Sequence, residues 1–335
     1  MKKKNILVLG GAGFIGGNLV AEISRDSEAR ITVADSFLRG RNDTFFKELI
    51  KKENIDFIEE DFTNPKSFEL LRKDYDQFYM LASLVGVKNS VENPHEIIRI
   101  NTSLILNSLN WLANSKIKKV LFSSTSENYS GTVESFNYKV PTPEEVPLTI
   151  SDISNSRSAY AVTKILGESG FLNFSHIFNF ECTIVRYHNV FGPRMGFQHV
   201  IPNLVKRFLI DEERPFKIYG GNHTRSFCYI SDAINATLLA MNSNISNKQI
   251  YNIGNNEEIT IDSLVKEIGN YFEYKDSYLD KKPFLGSVSR RCPDISKAQK
   301  DLSFHPVIHW KDGLIETLKW YENFYKEGGK ENGFA

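Results

Sequence analysis

The run Ile6-Leu-Val-Leu-Gly-Gly-Ala-Gly-Phe-Ile-Gly16 decides how the rest of the chain is read. Its first four residues are continuously apolar, as a parallel strand buried on both faces must be. Gly11, Gly13 and Gly16 fit G-x-G-x-x-G, and Gly10, Gly13 and Gly16 also fit the wider G-x-x-G-x-x-G spacing. Glycine belongs there because the turn is tight, the backbone must come close to a pyrophosphate, and the next helix must pack hard on the strand. That helix is expected from Phe14 and Ile15 onward through Leu19, Val20 and Ile23, its free N–H groups facing the phosphates. A second strand, Ile31-Thr-Val-Ala-Asp35, ends in an acid nineteen residues past Gly16, close to the spacing at which a carboxylate grips ribose hydroxyls. Asp35 also repels a 2′-phosphate, so NAD is expected over NADP, with Arg39 and Arg41 nearby acting the other way.

Strand and helix patterns keep alternating. Ile55-Asp-Phe-Ile58 with Asp61-Phe62 reads as a third strand and its turn, Phe78-Tyr-Met-Leu-Ala82 as a fourth, and Lys119-Val-Leu-Phe-Ser-Ser124 as a fifth. A helix from about His95 to Asn114 separates the last two. Units of this length specify an α/β fold, a doubly wound parallel (Rossmann) sheet with right-handed crossovers and ligands at the carboxyl ends of the strands. The run Ser123-Ser-Thr-Ser-Glu-Asn-Tyr129 is therefore delivered to the ligand crevice, where its composition fits either a reactive segment or a polar cap on the sheet.

Composition bounds the function classes. Lysine plus arginine and aspartate plus glutamate both number 41, so no global field favours nucleic acid or an anionic membrane. Cys182, Cys228 and Cys292 are odd in number and lack metal-ligand spacing, against a disulfide framework or a zinc site. No apolar run reaches membrane-spanning length and the N-terminus does not read as a signal peptide, so a cytoplasmic protein is expected.

The segment Ser158-Ala-Tyr-Ala-Val-Thr-Lys-Ile-Leu-Gly-Glu168 is helix-favouring, and positions four apart share a face, so Tyr160 and Lys164 can serve one site. Lowering a phenol from about 10 to about 7 takes roughly 4 kcal/mol, which an ammonium and an oxidised nicotinamide ring can supply together. Downstream, the patterns predict a smaller lobe. Helices are expected at Val200 to Phe208, Ile261 to Tyr271 and Lys311 to Tyr325, strands at Phe216 to Tyr219 and Ser226 to Tyr229. Residues 1–190 are assigned to the nucleotide-binding domain with the Tyr/Lys helix. Residues 191–326 are assigned mainly to an α/β substrate lobe, with some segments able to return to the first sheet, and 327–335 to a disordered tail.

Taken together, Gly10-x-x-Gly13-x-x-Gly16, Asp35, Asp61-Phe62, Leu81-Ala82-Ser83, Ser124-Thr-Ser-Glu127 and Tyr160-x-x-x-Lys164 resemble the extended short-chain dehydrogenase/reductases that modify nucleotide sugars. Arg186-Tyr-His-Asn-Val-Phe-Gly-Pro-Arg194, Thr224-Arg-Ser-Phe-Cys-Tyr229, Tyr251-Asn-Ile-Gly254 and Arg290-Arg-Cys-Pro-Asp-Ile-Ser-Lys297 resemble that family's substrate-side motifs, so the likeness covers essentially the whole chain. The resemblance implies a soluble NAD-dependent homodimer paired through the helices near His95–Asn114 and Ser158–Phe178. It implies that Tyr160 takes the proton of the sugar 4-hydroxyl, that Lys164 holds the nicotinamide ribose, and that Thr125 hydrogen-bonds the same hydroxyl. Asp61 and Phe62 then contact adenine, Leu81, Ala82 and Ser83 run beside the cofactor, and Ser126, Asn189, Arg225 and Arg291 bind the nucleotide-sugar. Arginine suits phosphate because its fork is bidentate.

Oxidation at C4 acidifies the C5 proton and turns a C6 carboxylate into a β-keto acid. From there the resemblance leaves three outcomes: re-reduction on the other face (a 4-epimerase), loss of carbon dioxide (a decarboxylase), or loss of water across C5 and C6 (a 4,6-dehydratase). Glu127 discriminates, because simple 4-epimerases of this family usually carry a small or apolar residue there. Thr125-Ser-Glu127 with the later arginine motifs looks most like UDP-glucuronate decarboxylases. The helix Ser158–Lys164 reads closer to epimerases, and Ser130 stands where a glycine is usual. A different class, an NAD sensor without catalysis, would be expected to lose Tyr160 or Lys164, and this chain keeps both.

Overall fold

A computed structural model of the chain describes residues 3–284 and 287–329. The first apolar run forms β1 (Lys4–Leu9), whose alternate residues bury on opposite sides: Ile6 and Val8 in one core, Leu7 and Leu9 in another. There follow α1 (Phe14–Ile23), β2 (Ala29–Asp35), α2 (Thr44–Leu49), β3 (Ile55–Glu59), β4 (Gln77–Met80), α3 (Val87–Glu92), α4 (Pro94–Leu112), β5 (Lys119–Thr125), α5 (Ser130–Phe136), α6 (Ser158–Phe178) and β6 (Glu181–Tyr187). The remainder comprises β7 (Val190–Phe191), α7 (Val200–Leu209), β8 (Phe216–Tyr219), β9 (Thr224–Ser226), β10 (Cys228–Tyr229), α8 (Ile230–Asn242) and β11 (Gln249–Ile253). Last come β12 (Glu258–Thr260), α9 (Ile261–Tyr271), β13 (Tyr278–Lys281), β14 (Arg290–Arg291), α10 (Ser296–Leu302) and α11 (Trp310–Lys326).

Seven strands make one sheet in the order β11-β6-β5-β4-β1-β2-β3, parallel throughout. Strand order reverses between β1 and β4, which opens a crevice at their carboxyl ends. One face packs on α1, α8 and α10, the other on α4 and α6. β11 brings the chain back to this sheet at residue 249, so the second half of the sequence serves both units. A third core, around Phe191, Leu204, Phe216, Leu264 and Leu318, binds α7, α9 and α11 into the smaller lobe.

β6 and β11, which the sequence reading did not identify as strands, complete the large sheet, and two expected segments take another form. The strand expected over 226–229 is split: β9 pairs with β12 and β14, whereas β10 pairs with β7. Phe227 between them buries into the lobe core instead of continuing either ladder. Of the expected disordered tail, residues 327–329 hydrogen-bond back onto the last turn of α11, and residues 330–335 lie outside the described residues.

Candidate active site

The turn after β1 is shaped to admit another backbone or a phosphate. Gly10 has φ +91°, and a Cβ on it would stand 2.5 Å from the Ala82 amide nitrogen. A side chain at Gly16 would overlap the Gly10 carbonyl. Gly13 caps α1 without a side-chain hydrogen bond, and no acid sits in the first turn, so the N–H groups of Phe14 and Ile15 stay open to an anion. These residues therefore fit a dinucleotide's pyrophosphate.

Asp35 closes β2 beside that turn. Its carboxylate accepts the Ala12 and Phe37 N–H groups at 3.0 and 2.9 Å. Burial raises its pKa, and those N–H groups act against the rise. Asp61 takes the Thr63 N–H and hydroxyl, each at 2.9 Å, while Phe62 packs edge-on to Phe68. Leu81 and Ala82 both donate to the Leu9 carbonyl, so the chain crosses the mouth of the crevice in contact with β1. Arg41, weighed above as a partner for a 2′-phosphate, donates instead to the Met195 carbonyl at 2.8 Å and lies over the Phe197 ring.

The reactive half grows from β5 and α6. Thr125 ends β5, and its hydroxyl accepts the Glu127 N–H at 3.2 Å, opening a single 3₁₀ turn over Ser126–Tyr129. Glu127 projects into the crevice with 40% of its side chain exposed. There Arg291 grips it with two prongs, Nη1 to Oε1 at 2.5 Å and Nη2 to Oε2 at 3.0 Å. Partial loss of water against the cleft wall pushes the Glu127 carboxyl up. Arg291, helped by Arg157 and Arg225, outweighs that push and holds it below the ordinary carboxylate range.

Tyr160 and Lys164 lie one turn apart on α6. Lys164 is buried, donates to the Ser123 carbonyl at 2.9 Å, and sits 5.7 Å from the centre of the Tyr160 ring. Burial lowers its pKa to about 7, against the pull of Glu168. Burial raises the Tyr160 phenol; Arg39, the cation that opposes this most, is joined by the hydroxyls of Ser83 and Thr125. One turn on, Glu168 accepts Arg186 at 2.8 and 2.6 Å and also the Ser124 hydroxyl, a buried network that fixes α6 against β5 and β6.

Gly10, Gly13, Phe14, Ile15, Gly16, Asp35, Asp61, Phe62, Leu81, Ala82, Ser83, Thr125, Ser126, Glu127, Tyr160, Lys164, Asn189 and Arg291 all line one cleft of about 360 Å³. Arg225 does not. It lies on β9 directly beside Arg291 on β14, donates to the Thr224 carbonyl at 2.7 Å, and has its pKa lowered to about 10 by burial and by Arg291. Asn189 reaches the cleft, but its amide already donates to the Ser226 carbonyl at 2.9 Å. Arg157 and His199 also line the cleft and carried no signal in the sequence, since both lie on irregular segments just ahead of helices. Arg39 entered the sequence argument only as a counterweight to Asp35, yet its charge acts on Tyr160.

Residues 6–254 match the NAD dependent epimerase/dehydratase family. A UDP-N-acetyl-alpha-D-glucosaminuronate decarboxylase of Bacillus cytotoxicus is 32% identical over 330 residues, covering 95% of this chain and 98% of the relative. A UDP-glucuronic acid decarboxylase 1 of Xenopus tropicalis is 33% identical, covering 95% and 72%. Among solved structures, the UDP-glucuronic acid 4-epimerase of Bacillus cereus, in complex with UDP-glucuronic acid and NAD, superposes with a TM-score of 0.84 at 27% identity, covering 96% of this chain and 100% of that one. The parallel sheet, the glycine turn and the Tyr160–Lys164 helix stand within the matched span, and the chain belongs to the NAD-dependent epimerase/dehydratase family of enzymes.

Proposed function

We propose that this enzyme removes the C6 carboxylate of a nucleotide-linked uronic acid after transient oxidation at C4, as a UDP-glucuronate-type decarboxylase. One observation carries the choice: a carboxylate, Glu127, held ionised by Arg291 at the end of β5, two residues past the threonine that approaches the Tyr160 phenol. A plain 4-epimerase moves protons and hydride only at C4 and has no use for a fixed Glu–Arg pair. A decarboxylase must hold a sugar carboxylate and, once carbon dioxide has left, deliver a proton to C5; Arg291 offers a cation for the first, and Glu127 a carboxyl that can relay a solvent proton to C5 for the second.

Gly10, Gly13, Phe14, Ile15 and Gly16 would hold the pyrophosphate, Asp35 the adenosine ribose, Asp61 and Phe62 the adenine, and Leu81, Ala82 and Ser83 the inner stretch. Bound nicotinamide supplies a hydride acceptor and donor for C4. Tyr160 takes the 4-hydroxyl proton while Thr125 and Ser83 orient the phenol. Lys164, anchored on the Ser123 carbonyl, steadies the ribose and adds positive charge beside the phenol. Arg291, with Arg225 behind it, and Ser126 and Asn189 meet the anionic substrate. A homodimer in the cytoplasm is part of the proposal: α4 and α6 leave Ile98, Leu106, Val162 and Leu166 facing outward, apolar side chains that a second copy would cover. No helix among the described residues is long and apolar enough to cross a membrane.

Glu127→Gln tests the choice, since it keeps the size and one hydrogen bond but removes the titrating group. With UDP-glucuronate and NAD, product formation is expected to fall at least about a hundredfold, on the order of a lost general acid–base group, while the 4-keto sugar accumulates. The sequence of α6 between Ser158 and Lys164 favours 4-epimerisation as the second reading, and a variant with undiminished product formation would leave that one standing.

A further inference from the structure

His188 follows β6, is 1% exposed, and has no part in the chemistry above. Its ring lies against the Tyr129 ring with centroids 5.8 Å apart. Gly254 makes room for it, since a Cβ there would stand 2.9 Å from the His188 Cβ. The neighbours fix its tautomer. Asn252 Nδ2 donates to the Thr142 and Asp294 carbonyls at 3.0 and 3.1 Å, so Asn252 Oδ1 is the acceptor end of that amide. Arg186 Nη1 donates to the Tyr129 hydroxyl at 2.6 Å, and that hydroxyl donates its O–H to Asn252 Oδ1 at 2.8 Å. His188 Nε2, 3.0 Å from the same oxygen, must therefore be an N–H donor to it.

A second ring proton would put a cation between Arg186 and Arg291. Burial, with these two guanidinium groups, lowers the imidazole pKa to about 3, so it is neutral and Nδ1 carries a lone pair. That nitrogen is buried and has no hydrogen-bond partner. Buried acceptors of this kind are rarely left unmade. The imidazole borders a pocket of about 10 Å³, the room one water molecule requires, with Ser126, Ser130, Thr142 and Arg291 also in its wall. Ser126 and Arg291 line the main cleft too, so the pocket, called the annex below, adjoins the cleft across these two residues.

We propose that the annex binds one small hydrogen-bond donor, with His188 Nδ1 as its acceptor, behind the Glu127–Arg291 pair. The donor is an O–H or N–H and has two sources: a bound water, or a substituent of the sugar. The first source is independent of the proposed reaction, whereas the second rests on it.

Nitrogen NMR of NAD-loaded protein labelled at histidine distinguishes them. His188→Phe assigns the resonance by removing it, and His188→Gln does so if the first variant fails to fold. The expected spectrum without sugar shows Nε2 protonated and Nδ1 as a hydrogen-bonded acceptor. If that signal is unchanged by UDP-glucuronate, the donor is water; if it moves with UDP-glucuronate but not with UDP, the donor belongs to the sugar. A protonated Nδ1 overturns the proposal, as does an Nδ1 free of hydrogen bonds both without sugar and with UDP-glucuronate. Calorimetry reports separately whether UDP-glucuronate binds. Should it fail to bind, the decarboxylase assignment fails on its own, and the sugar-free spectrum decides alone, a bare Nδ1 overturning the annex.

Discussion

Tyr160, partly buried, and Lys164, buried, share one face of α6, and loss of water moves their proton affinities in opposite directions, the phenol up and the ammonium down to about 7. The phenol needs positive charge around it before it can act as a base, and Arg39 already supplies some. Tyr160→Phe removes only the hydroxyl. Turnover should fall about 10²- to 10⁴-fold with NAD affinity unchanged within a few fold, as read by steady-state rates and calorimetric titration. Lys164 gives a pH signature. Unfolded, it keeps its proton up to the ordinary lysine value of 10.5; folded, it releases it near 7. Between those values the unfolded chain binds more protons, so raising the pH favours the folded state. Urea unfolding should therefore show the wild type gaining stability relative to Lys164→Met as the pH rises from about 7 toward 10.5, and a constant difference would contradict the buried ammonium. The spacing of this pair was legible in the sequence because helical periodicity alone brings residues four apart together. Arg39 was not, because the irregular segment after Asp35 has no period that says where a side chain goes.

At the scale of elements, the first half of α6 was legible from its Ala, Leu and Lys residues and its lack of proline, whereas the second half, which carries Gly170, Phe171, Phe174 and Ile177 and runs on to Phe178, was expected from the family resemblance. Its partner α4 begins at Pro94, the position where a missing N–H costs least. The two pack closely, with Asn101 donating to the Thr163 hydroxyl at 3.2 Å and Gly170 leaving space for Leu109. Their outer faces keep Ile98 and Leu166 half exposed, 50% and 41%, which neither the sheet nor the smaller lobe requires. A lysine at position 166 would place a charge in the proposed dimer seam. Leu166→Lys should be monomeric by light scattering at micromolar concentration and still bind NAD, against a dimeric wild type; a monomeric wild type would contradict the pairing. Less legible were the short strands of the smaller lobe. β7, β10 and β14 have two residues each, and pairs that short follow from tertiary contacts rather than from any alternation in the sequence.

At the scale of the molecule, the glycine turn and the strand–helix alternation were enough to specify a doubly wound parallel sheet and five of its seven strands, because each of those units carries its own local signal. How the two halves join was not, since it depends on single side chains far apart in sequence. Arg194 pairs with Asp43 at 2.7 Å, Arg41 reaches the Met195 carbonyl, and Arg291 arrives from β14 to meet Glu127 at the end of β5. The site is thus completed only when the smaller lobe returns an arginine to the large one. The motif reading supplied Glu127 and Arg291 as separate candidates, and the fold makes them one pair. That pair carries the claim that the enzyme removes carbon instead of inverting C4. The direct measurement is turnover of UDP-glucuronate isotopically labelled at C6, with NAD present and the nucleotide products followed by mass spectrometry. The account predicts labelled carbon dioxide in step with an unlabelled UDP-pentose. Full retention of the label in a UDP-hexuronate epimer would contradict it.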